Sequence, residues 1–208
     1  MKRRLLFTFA TLLALLPYVG LAATTTWSFE WNTSKKDGGQ GFYNFGSSKV
    51  EKDVYTTELN GVQWNISSEG TYIYAYTSTM GQYIGSASEV PSSSTLWTTG
   101  FAGKIKDVKV TARVKDDKKA GDVAVAVNGK DYLCDGNAKA SLTGTLAEYA
   151  FTIDDADMQE GKLEIKLNQT SEEKGPLYIY KVVVDYEVAT SGVPAPVFTP
   201  AAGTYDKA

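Results

Sequence analysis

Histidine is absent from the 208-residue chain, and cysteine occurs once, at Cys134. Without histidine the chain can form no Ser-His-Asp triad, no Cys-His pair, no HExxH zinc site and no other histidine-ligated metal centre. With one cysteine it can form no internal disulfide, so a folded domain must rest on its hydrophobic core. Because a nucleophilic thiol needs a base beside it, we expect Cys134 to be a buried, unreactive thiol at a strand end.

Long hydrophobic runs are also scarce, and the one clear example, at residues 5–19, follows Lys2, Arg3 and Arg4. A basic start, an apolar stretch of this length and the small residues after it predict a signal peptide over residues 1–23. A membrane anchor is the alternative, but a spanning helix needs roughly 20 apolar residues and this run is shorter. We therefore expect a protein that is secreted or held at the cell surface or in the periplasm, without membrane contact after cleavage.

The charge of the chain is mildly acidic, with a formal net charge of −3. Loss of the leader removes three of the 21 basic residues and none of the 24 acidic ones, which leaves a net charge of about −6. An acidic protein repels phosphate backbones and anionic lipids. The composition therefore argues against nucleic acid and anionic membranes as partners.

Valine-rich alternation organises the middle of the chain, at residues 104–133. Apolar residues occupy every second position in two runs, 108–114 and 123–127, and this period of two is typical of half-buried strands. The polar segment DDKKAG between the runs and the Asn128-Gly129 pair after them predict turns. We expect the two runs to form a long hairpin whose apolar face is covered by a second sheet.

Alternating segments continue on both sides of this stretch. Asn60-Gly61 joins two of them and is a strong hairpin signal, because both turn residues need positive φ. The last predicted strand is Leu177–Val188. One of its predicted faces carries Tyr178, Tyr180, Val182, Val184 and Tyr186. About nine or ten strands and no convincing helix predict an all-β fold, an antiparallel β-sandwich of the jelly-roll type with neighbouring first and last strands.

The composition shifts after position 188, where ATSGVPAP has the content of a linker. The expected organisation is a signal peptide at 1–23, a β-sandwich at 24–188, a linker at 189–196 and the truncated start of a second β-sandwich at 197–208.

Two stretches carry a family resemblance. The order of GFAGKIKDVKV at 100–110, LAEYAF at 146–151 and GPLYIYKVVVDY at 175–186 resembles the jelly-roll accessory domains of secreted and surface proteins of Bacteroidota. The segment PAPVFTPAAGTY at 194–205 is similar to the opening of the chitobiase/β-hexosaminidase C-terminal β-sandwich of multi-domain secreted bacterial proteins. The first resemblance implies a fold and no catalytic residue. The second implies a fragment, with downstream domains of the same protein as partners.

Aromatic rings outside the strand pattern are the candidate ligand-binding residues, because exposed rings stack on sugar rings. These candidates are Trp97, Tyr43, Phe42 and Tyr83. The other three tryptophans share alternating faces with apolar residues and are expected in the core: Trp27, Trp31 and Trp64. The tyrosine ladder at residues 72–76 fits cross-strand packing better than a binding face.

Acidic residues give no clear metal or catalytic site. The loop at 154–160 has oxygen ligands enough for calcium but lacks the D-x-D-x-D-G spacing, so a solvated turn is expected and no cofactor is indicated. The two acids of a glycosidase lie about 5–10 Å apart. The candidate acids are Glu30, Glu58, Glu69 and Glu89. No acid-x-acid pattern joins them, so no catalytic residue is predicted.

Three functions are compatible with these features. The first is a non-catalytic secreted module of a larger extracellular bacterial protein that binds polysaccharide or another cell-surface ligand. The second is a purely structural N-terminal domain of a longer secreted glycosidase or peptidase, and the third is a small glycosidase acting with two glutamates. The sequence favours the first, with its binding surface on the loops around Phe42-Tyr43 and Trp97.

Overall fold

Two antiparallel β-sheets face each other across one hydrophobic core in this computed structural model, which describes residues 22–31, 54–69, 75–78, 81–84, 92–171 and 175–188. The strands of the first half are β1 (Ala23–Glu30), β2 (Tyr55–Leu59), β3 (Val62–Glu69), β4 (Ala75–Ser78), β5 (Gly81–Ile84), β6 (Ser93–Thr98) and β7 (Lys104–Val114). Those of the second half are β8 (Gly121–Val127), β9 (Lys130–Tyr132), β10 (Lys139–Leu142), β11 (Ala147–Thr152), β12 (Leu163–Gln169) and β13 (Leu177–Val188). The described residues thus hold 13 strands, and the predicted nine or ten missed short ones such as β9 and β10.

The sheet order confirms the predicted antiparallel β-sandwich. The six-stranded sheet runs β11-β7-β13-β5-β4 with β1 also paired to β13, and the seven-stranded sheet runs β10-β8-β12-β6-β3-β2 with β9 also paired to β8. The pairing of β1 with β13 confirms that the first and last strands are neighbours. The described residues contain one short 3₁₀ helix, Asp155–Asp157, in the acidic loop. No helix within these residues is long and apolar enough to cross a membrane.

The predicted hairpin of the central stretch is wrong. Strand β7 pairs with β11 and β13 in one sheet, whereas β8 pairs with β10, β12 and β9 in the other. The physical reason is the length of the connection at 115–120, since six residues span up to ~20 Å and the sheets lie about 10 Å apart. Asp117 holds this crossing in place, because its Oδ1 accepts a 3.0 Å hydrogen bond from the Gly144 amide.

The valine rows of both strands are nevertheless buried, as their alternation predicted. Residues Val108, Val110, Ala112 and Val114 on β7 and Val123, Val125 and Val127 on β8 have no exposed surface. Each row belongs to the inner face of its own sheet. The two rows therefore line the core from opposite sheets and do not lie side by side in one sheet.

Aromatic rings fill one part of the core. Trp27 stacks on Trp64 with ring centroids 5.4 Å apart, and both rings contact Phe101. The ring centroid of Phe101 in turn lies 5.1 Å from that of Tyr186 on β13. Trp27, Trp31 and Trp64 are 8%, 1% and 1% exposed, which confirms their predicted place in the core.

The predicted alternation of β13 does not run through the whole strand. Val182 and Val184 point inward, but the pairing with β7 shifts register between Ile179 and Lys181, so Tyr180 is an extra residue. Such a bulge reverses which residues face the core. Before it the inward residues are therefore Leu177 and Ile179, and the prediction that Tyr178 and Tyr180 share one face with Val182 and Val184 is wrong.

Both Asn-Gly turns have the predicted backbone. Asn60 and Gly61 have φ values of 44° and 76° between β2 and β3, and Asn128 and Gly129 have 50° and 81° between β8 and β9. Positive φ at both positions closes a two-residue hairpin. The first of these turns fixes the register of β3, which belongs to the candidate site.

Candidate functional site

The middle of the seven-stranded sheet presents a polar outer surface built by three adjacent strands, β3, β6 and β12. Their inner positions are buried, with Ile66, Leu96 and Ile165 at 0% exposure, so the alternate positions face outward. Nine residues form this outward surface, which we name the β6 face. They are Asn65, Ser67 and Glu69 on β3, Ser93, Thr95 and Trp97 on β6, and Glu164, Lys166 and Asn168 on β12.

Strand register arranges the β6 face in three rows that run across the strands. The rows are Asn65-Trp97-Glu164, Ser67-Thr95-Lys166 and Glu69-Ser93-Asn168. Hydroxyl, amide and charged groups surround the one aromatic ring of the face. A surface of this composition can stack on a sugar ring and hydrogen-bond its hydroxyls.

Trp97 is partly exposed and has a cation over its ring. The Nζ atom of Lys162 lies 5.2 Å from the ring centroid, within the range of a cation–π contact. The same ammonium group lies 2.6 Å from Oε1 of Glu164, the cross-strand neighbour of Trp97. The ammonium group therefore contacts both the indole and the carboxylate at the start of β12.

Asn65 is held on the other side of Trp97. The Thr56 hydroxyl donates to Asn65 Oδ1 at 2.6 Å, and Asn65 Nδ2 lies 3.5 Å from the Trp97 carbonyl oxygen. These contacts fix the side-chain amide beside the indole. A donor and acceptor group therefore stands on each side of the ring along the first row.

Opposite charges are paired on the outer surface of this sheet. Lys166 Nζ lies 3.6 Å from Glu69 Oε1, and Lys139 Nζ of β10 lies 3.7 Å from Asp122 Oδ2 of β8. With the pair of Lys162 and Glu164, three of its cations each have a carboxylate within 4 Å. Among the described residues there is therefore no block of one charge sign around Trp97, which suits an uncharged ligand better than a polyanion.

Two of the four sequence-predicted binding residues, Trp97 and Tyr83, belong to the described part of the chain, and they lie in different sheets. The sequence predicts Trp97 on a loop, but the residue lies within strand β6. Tyr83 lies in β5 of the other sheet, opposite Tyr178 of β13. Phe42 and Tyr43 lie outside the described residues, as do Tyr72 and Tyr74 of the tyrosine ladder.

Sequence reasoning missed the polar groups around Trp97. Asn65, Lys162 and Glu164 come from β3 and the start of β12, 32 to 67 residues away in the chain. Their outward positions follow from alternation, but their proximity depends on which strands pair. Trp97 itself seemed off pattern because the inner positions beside Leu96 are Ser94 and Thr98 rather than aliphatic residues.

Three of the four candidate catalytic glutamates are described, and they lie on three different strands. Glu30 lies on β1 of the six-stranded sheet, and Glu89 is outside the described residues. Glu58 is opposite Gln63 on the β2–β3 hairpin, six residues along β3 from Glu69. This separation is about 20 Å, well beyond the 5–10 Å of a glycosidase pair.

A second concavity, of about 550 Å³, lies beside the acidic loop. Its walls include Lys130, Leu133 and Asp157, and Lys130 Nζ is 2.6 Å from Asp157 Oδ1. Within the described part of the chain, no three acidic or cysteine side chains group closely enough to hold a metal ion. Cys134, next to this concavity, is 8% exposed, and burial raises the pKa of its thiol.

No protein-family model matches the chain and no curated protein matches it, so the resemblances to the Bacteroidota accessory domains and the chitobiase-like domain stay predictions. Among solved structures, a family 29 carbohydrate-binding module from Piromyces equi shares 13% identity and a TM-score of 0.39, over 79% of this chain and 91% of its own. The xylan-binding module CBM15 shares 12% identity and a TM-score of 0.39, over 69% of this chain and 100% of its own.

A family two carbohydrate esterase from Cellvibrio japonicus shares 8% identity and a TM-score of 0.38 over 81% of this chain, which spans 36% of the esterase. At these identities and TM-scores, the similarities carry no function over to the chain.

Proposed function

We propose that residues 24–188 form a non-catalytic carbohydrate-binding module that binds a neutral glycan on the β6 face. The observation that carries this proposal is the position of Trp97. It is a partly exposed indole in the middle of a sheet surface, with hydrogen-bonding groups on both sides. The apolar face of a pyranose ring packs on an indole while its hydroxyls bind the groups around it.

The neighbours of Trp97 supply the hydrogen bonds that a sugar needs. The Asn65 amide can donate and accept, the Glu164 carboxylate accepts, and the Lys162 ammonium donates. Lys162 and Glu164 already neutralise each other at 2.6 Å, so a neutral sugar meets no unpaired charge. An anionic glycan would gain less from such a surface than from unpaired cations, because Lys162, Lys166 and Lys139 each have a carboxylate partner among the described residues.

The wider setting forms part of the same proposal. The leader at 1–23 would export the module, and the segment after 188 would link it to further domains of an extracellular bacterial protein. In that setting the module holds its parent protein on a polysaccharide. The competing function is a purely structural domain of a longer secreted hydrolase, which would bind no glycan through the β6 face.

Affinity electrophoresis tests the proposal on the purified protein. Neutral polysaccharides (xylan, glucomannan, laminarin and hydroxyethyl cellulose) are cast into native gels beside the anionic polymers pectin and alginate. We expect at least one neutral polymer to retard the protein, Trp97→Ala to abolish the retardation, and Trp97→Phe to keep part of it. Tyr180→Ala, which removes an outward ring from the other sheet, is the matched control and should bind like the parent.

Two results would overturn this function. Retardation by none of the neutral polymers would favour the purely structural domain. Equal binding by the Trp97→Ala variant would move the glycan site away from the β6 face.

A further inference from the structure

An ion pair crosses over β6 on the outer surface of the sheet. Lys166 is on β12 and Glu69 is on β3, and these two strands flank β6 on opposite sides. Their backbones are therefore about 10 Å apart, and the 3.6 Å contact between Lys166 Nζ and Glu69 Oε1 lies above the strand between them. The register places this bridge diagonally over Thr95 and Ser93.

Ser93 lies under this bridge with an unused hydroxyl group. It is an outward residue, like Trp97, yet it is only 4% exposed, and its Oγ has no hydrogen-bond partner among the described residues. A buried hydroxyl without a partner destabilises the protein, because it has lost its hydrogen bonds to water and gained none in return. A ligand that reached Ser93 would supply the missing hydrogen bond.

We propose that the glycan site continues along β6 from Trp97 to Ser93, and that the Lys166–Glu69 bridge is a strap that an oligosaccharide opens. The proposal rests on the function proposed above and adds the length of the ligand. Trp97 and Ser93 are about 13 Å apart along the strand, so one sugar ring on the indole does not reach Ser93. A chain of several sugars does.

The strap is suited to open at low cost. The Lys166 and Glu69 side chains are 45% and 70% exposed, and ion pairs at that exposure contribute little to stability because water screens them. When the strap opens, the Lys166 ammonium, the Glu69 carboxylate and the Ser93 hydroxyl all become available to sugar hydroxyls. Changes in the strap should therefore alter the affinity for long oligosaccharides and leave the affinity for short ones unchanged.

Calorimetric titration with the disaccharide and the hexasaccharide of the retained polysaccharide tests this on the whole protein. Glu69→Gln, which removes the ion pair but keeps the shape, should tighten hexasaccharide binding several-fold and leave disaccharide binding unchanged. Ser93→Ala should weaken the hexasaccharide alone. Lys139→Gln, which breaks the Lys139–Asp122 pair outside the β6 face, is the matched control and should change neither.

Salt gives a second readout that needs no substitution. In about 1 M NaCl, where the Debye length is about 3 Å, the strap is screened and the parent should bind the hexasaccharide more tightly. The Glu69→Gln variant should show no such gain. Equal hexasaccharide affinities in Glu69→Gln, Ser93→Ala and the parent, without salt dependence, would overturn the strap.

The two proposals fail in different ways. If Trp97→Ala loses both ligands while the strap variants bind like the parent, the strap is wrong and the binding function stands. If the parent binds neither ligand, the binding function is wrong as well. If Trp97→Ala binds both ligands like the parent, the glycan site lies away from the β6 face and the strap is wrong too.

Discussion

Asp107 of β7 lies directly opposite Asp185 of β13, on the outer surface of the six-stranded sheet. The Thr26 hydroxyl of β1 donates a hydrogen bond to Asp185, so three strands meet at this pair of carboxyl groups. Partial burial and the charge of Asp185 raise the pKa of Asp107, and Lys109 and Lys106 offset only part of the effect. The sheet therefore contains a cross-strand pair of carboxyl groups, and ionisation of Asp107 beside Asp185 opposes folding.

This pair predicts a pH-dependent stability. Because the native pKa of Asp107 is raised above its ordinary value of 3.8, the folded state holds the proton more tightly than the unfolded state. The protonated Asp107 carboxyl therefore stabilises the folded state. This contribution is complete at pH values below 3.8 and is lost as the pH rises through the raised native pKa. Asp107→Asn should therefore stabilise the protein at neutral pH by about 0.5 kcal/mol, the scale of a cross-strand like-charge pair.

Urea unfolding across a pH series measures the difference between Asp107→Asn and the parent. The gain should grow from acidic to neutral pH and be absent below the ordinary pKa. Asp131→Asn, at an exposed carboxyl of the other sheet, is the control. A pH-independent difference for Asp107→Asn would contradict the account.

Two glycines with positive φ should respond unequally to alanine. Gly81 has φ 99°, and a Cβ atom there would collide with the Ile179 carbonyl oxygen and lie 2.7 Å from Tyr180 Cα. Gly129 has φ 81°, and a Cβ atom there would meet no other atom within 4 Å. Gly129→Ala should cost about 1–2 kcal/mol from backbone strain alone. Gly81→Ala should cost about 1–3 kcal/mol more, because the β5–β13 contact must open. Equal losses in thermal or urea unfolding would show that β5 does not pack this closely on β13.

The Tyr132 hydroxyl joins the two sheets. It donates a 2.6 Å hydrogen bond to the Ile105 carbonyl oxygen of β7 and accepts one from the Gln159 amide, while its ring on β9 is fully buried. Tyr132→Phe should cost about 1–3 kcal/mol in the free energy of unfolding, because both backbone groups lose this partner. Tyr149→Phe, whose hydroxyl accepts from the exposed Thr143 amide, should cost less. The reverse order would argue against this link.

Cys134 should behave as an unreactive thiol. Burial and the nearby charge of Asp135 raise the pKa of the thiol, so little thiolate is present at about pH 8, near the ordinary pKa of cysteine. Its reaction with a chromogenic disulfide should be at least about tenfold slower in the native protein than in urea, since the thiolate is the nucleophile. Equal rates in both states would place the thiol at the surface.

Alternation predicted which residues of the strands are buried, but not which strands pair. The valine rows of β7 and β8 lie in the core as predicted, although the two strands belong to different sheets. A period of two fixes the face of a residue, whereas a six-residue polar connection permits either a hairpin or a crossing. The bulge at Tyr180 could not be predicted from the sequence either, because an extra residue leaves the composition of the strand unchanged.

The candidate site was predictable only at its aromatic residue. The sequence predicts Trp97 as a ligand-binding residue because it lies outside the apolar alternation of the predicted strands. The groups beside it, Asn65 and Glu164, are ordinary polar residues on two other strands, and only sheet register brings them to the indole. Their role therefore depends on long-range pairing that a single sequence does not specify.

The central claim is that a neutral glycan binds on the β6 face around Trp97. The most direct test is a titration of the isotope-labelled protein with the hexasaccharide of the retained polysaccharide, followed in amide and indole correlation spectra. Chemical shift changes should concentrate on β3, β6 and β12 and on the Trp97 indole N–H, and should vanish in Trp97→Ala. Changes confined to the six-stranded sheet or to the concavity beside Lys130, with the Trp97 indole signal unmoved, would contradict the claim.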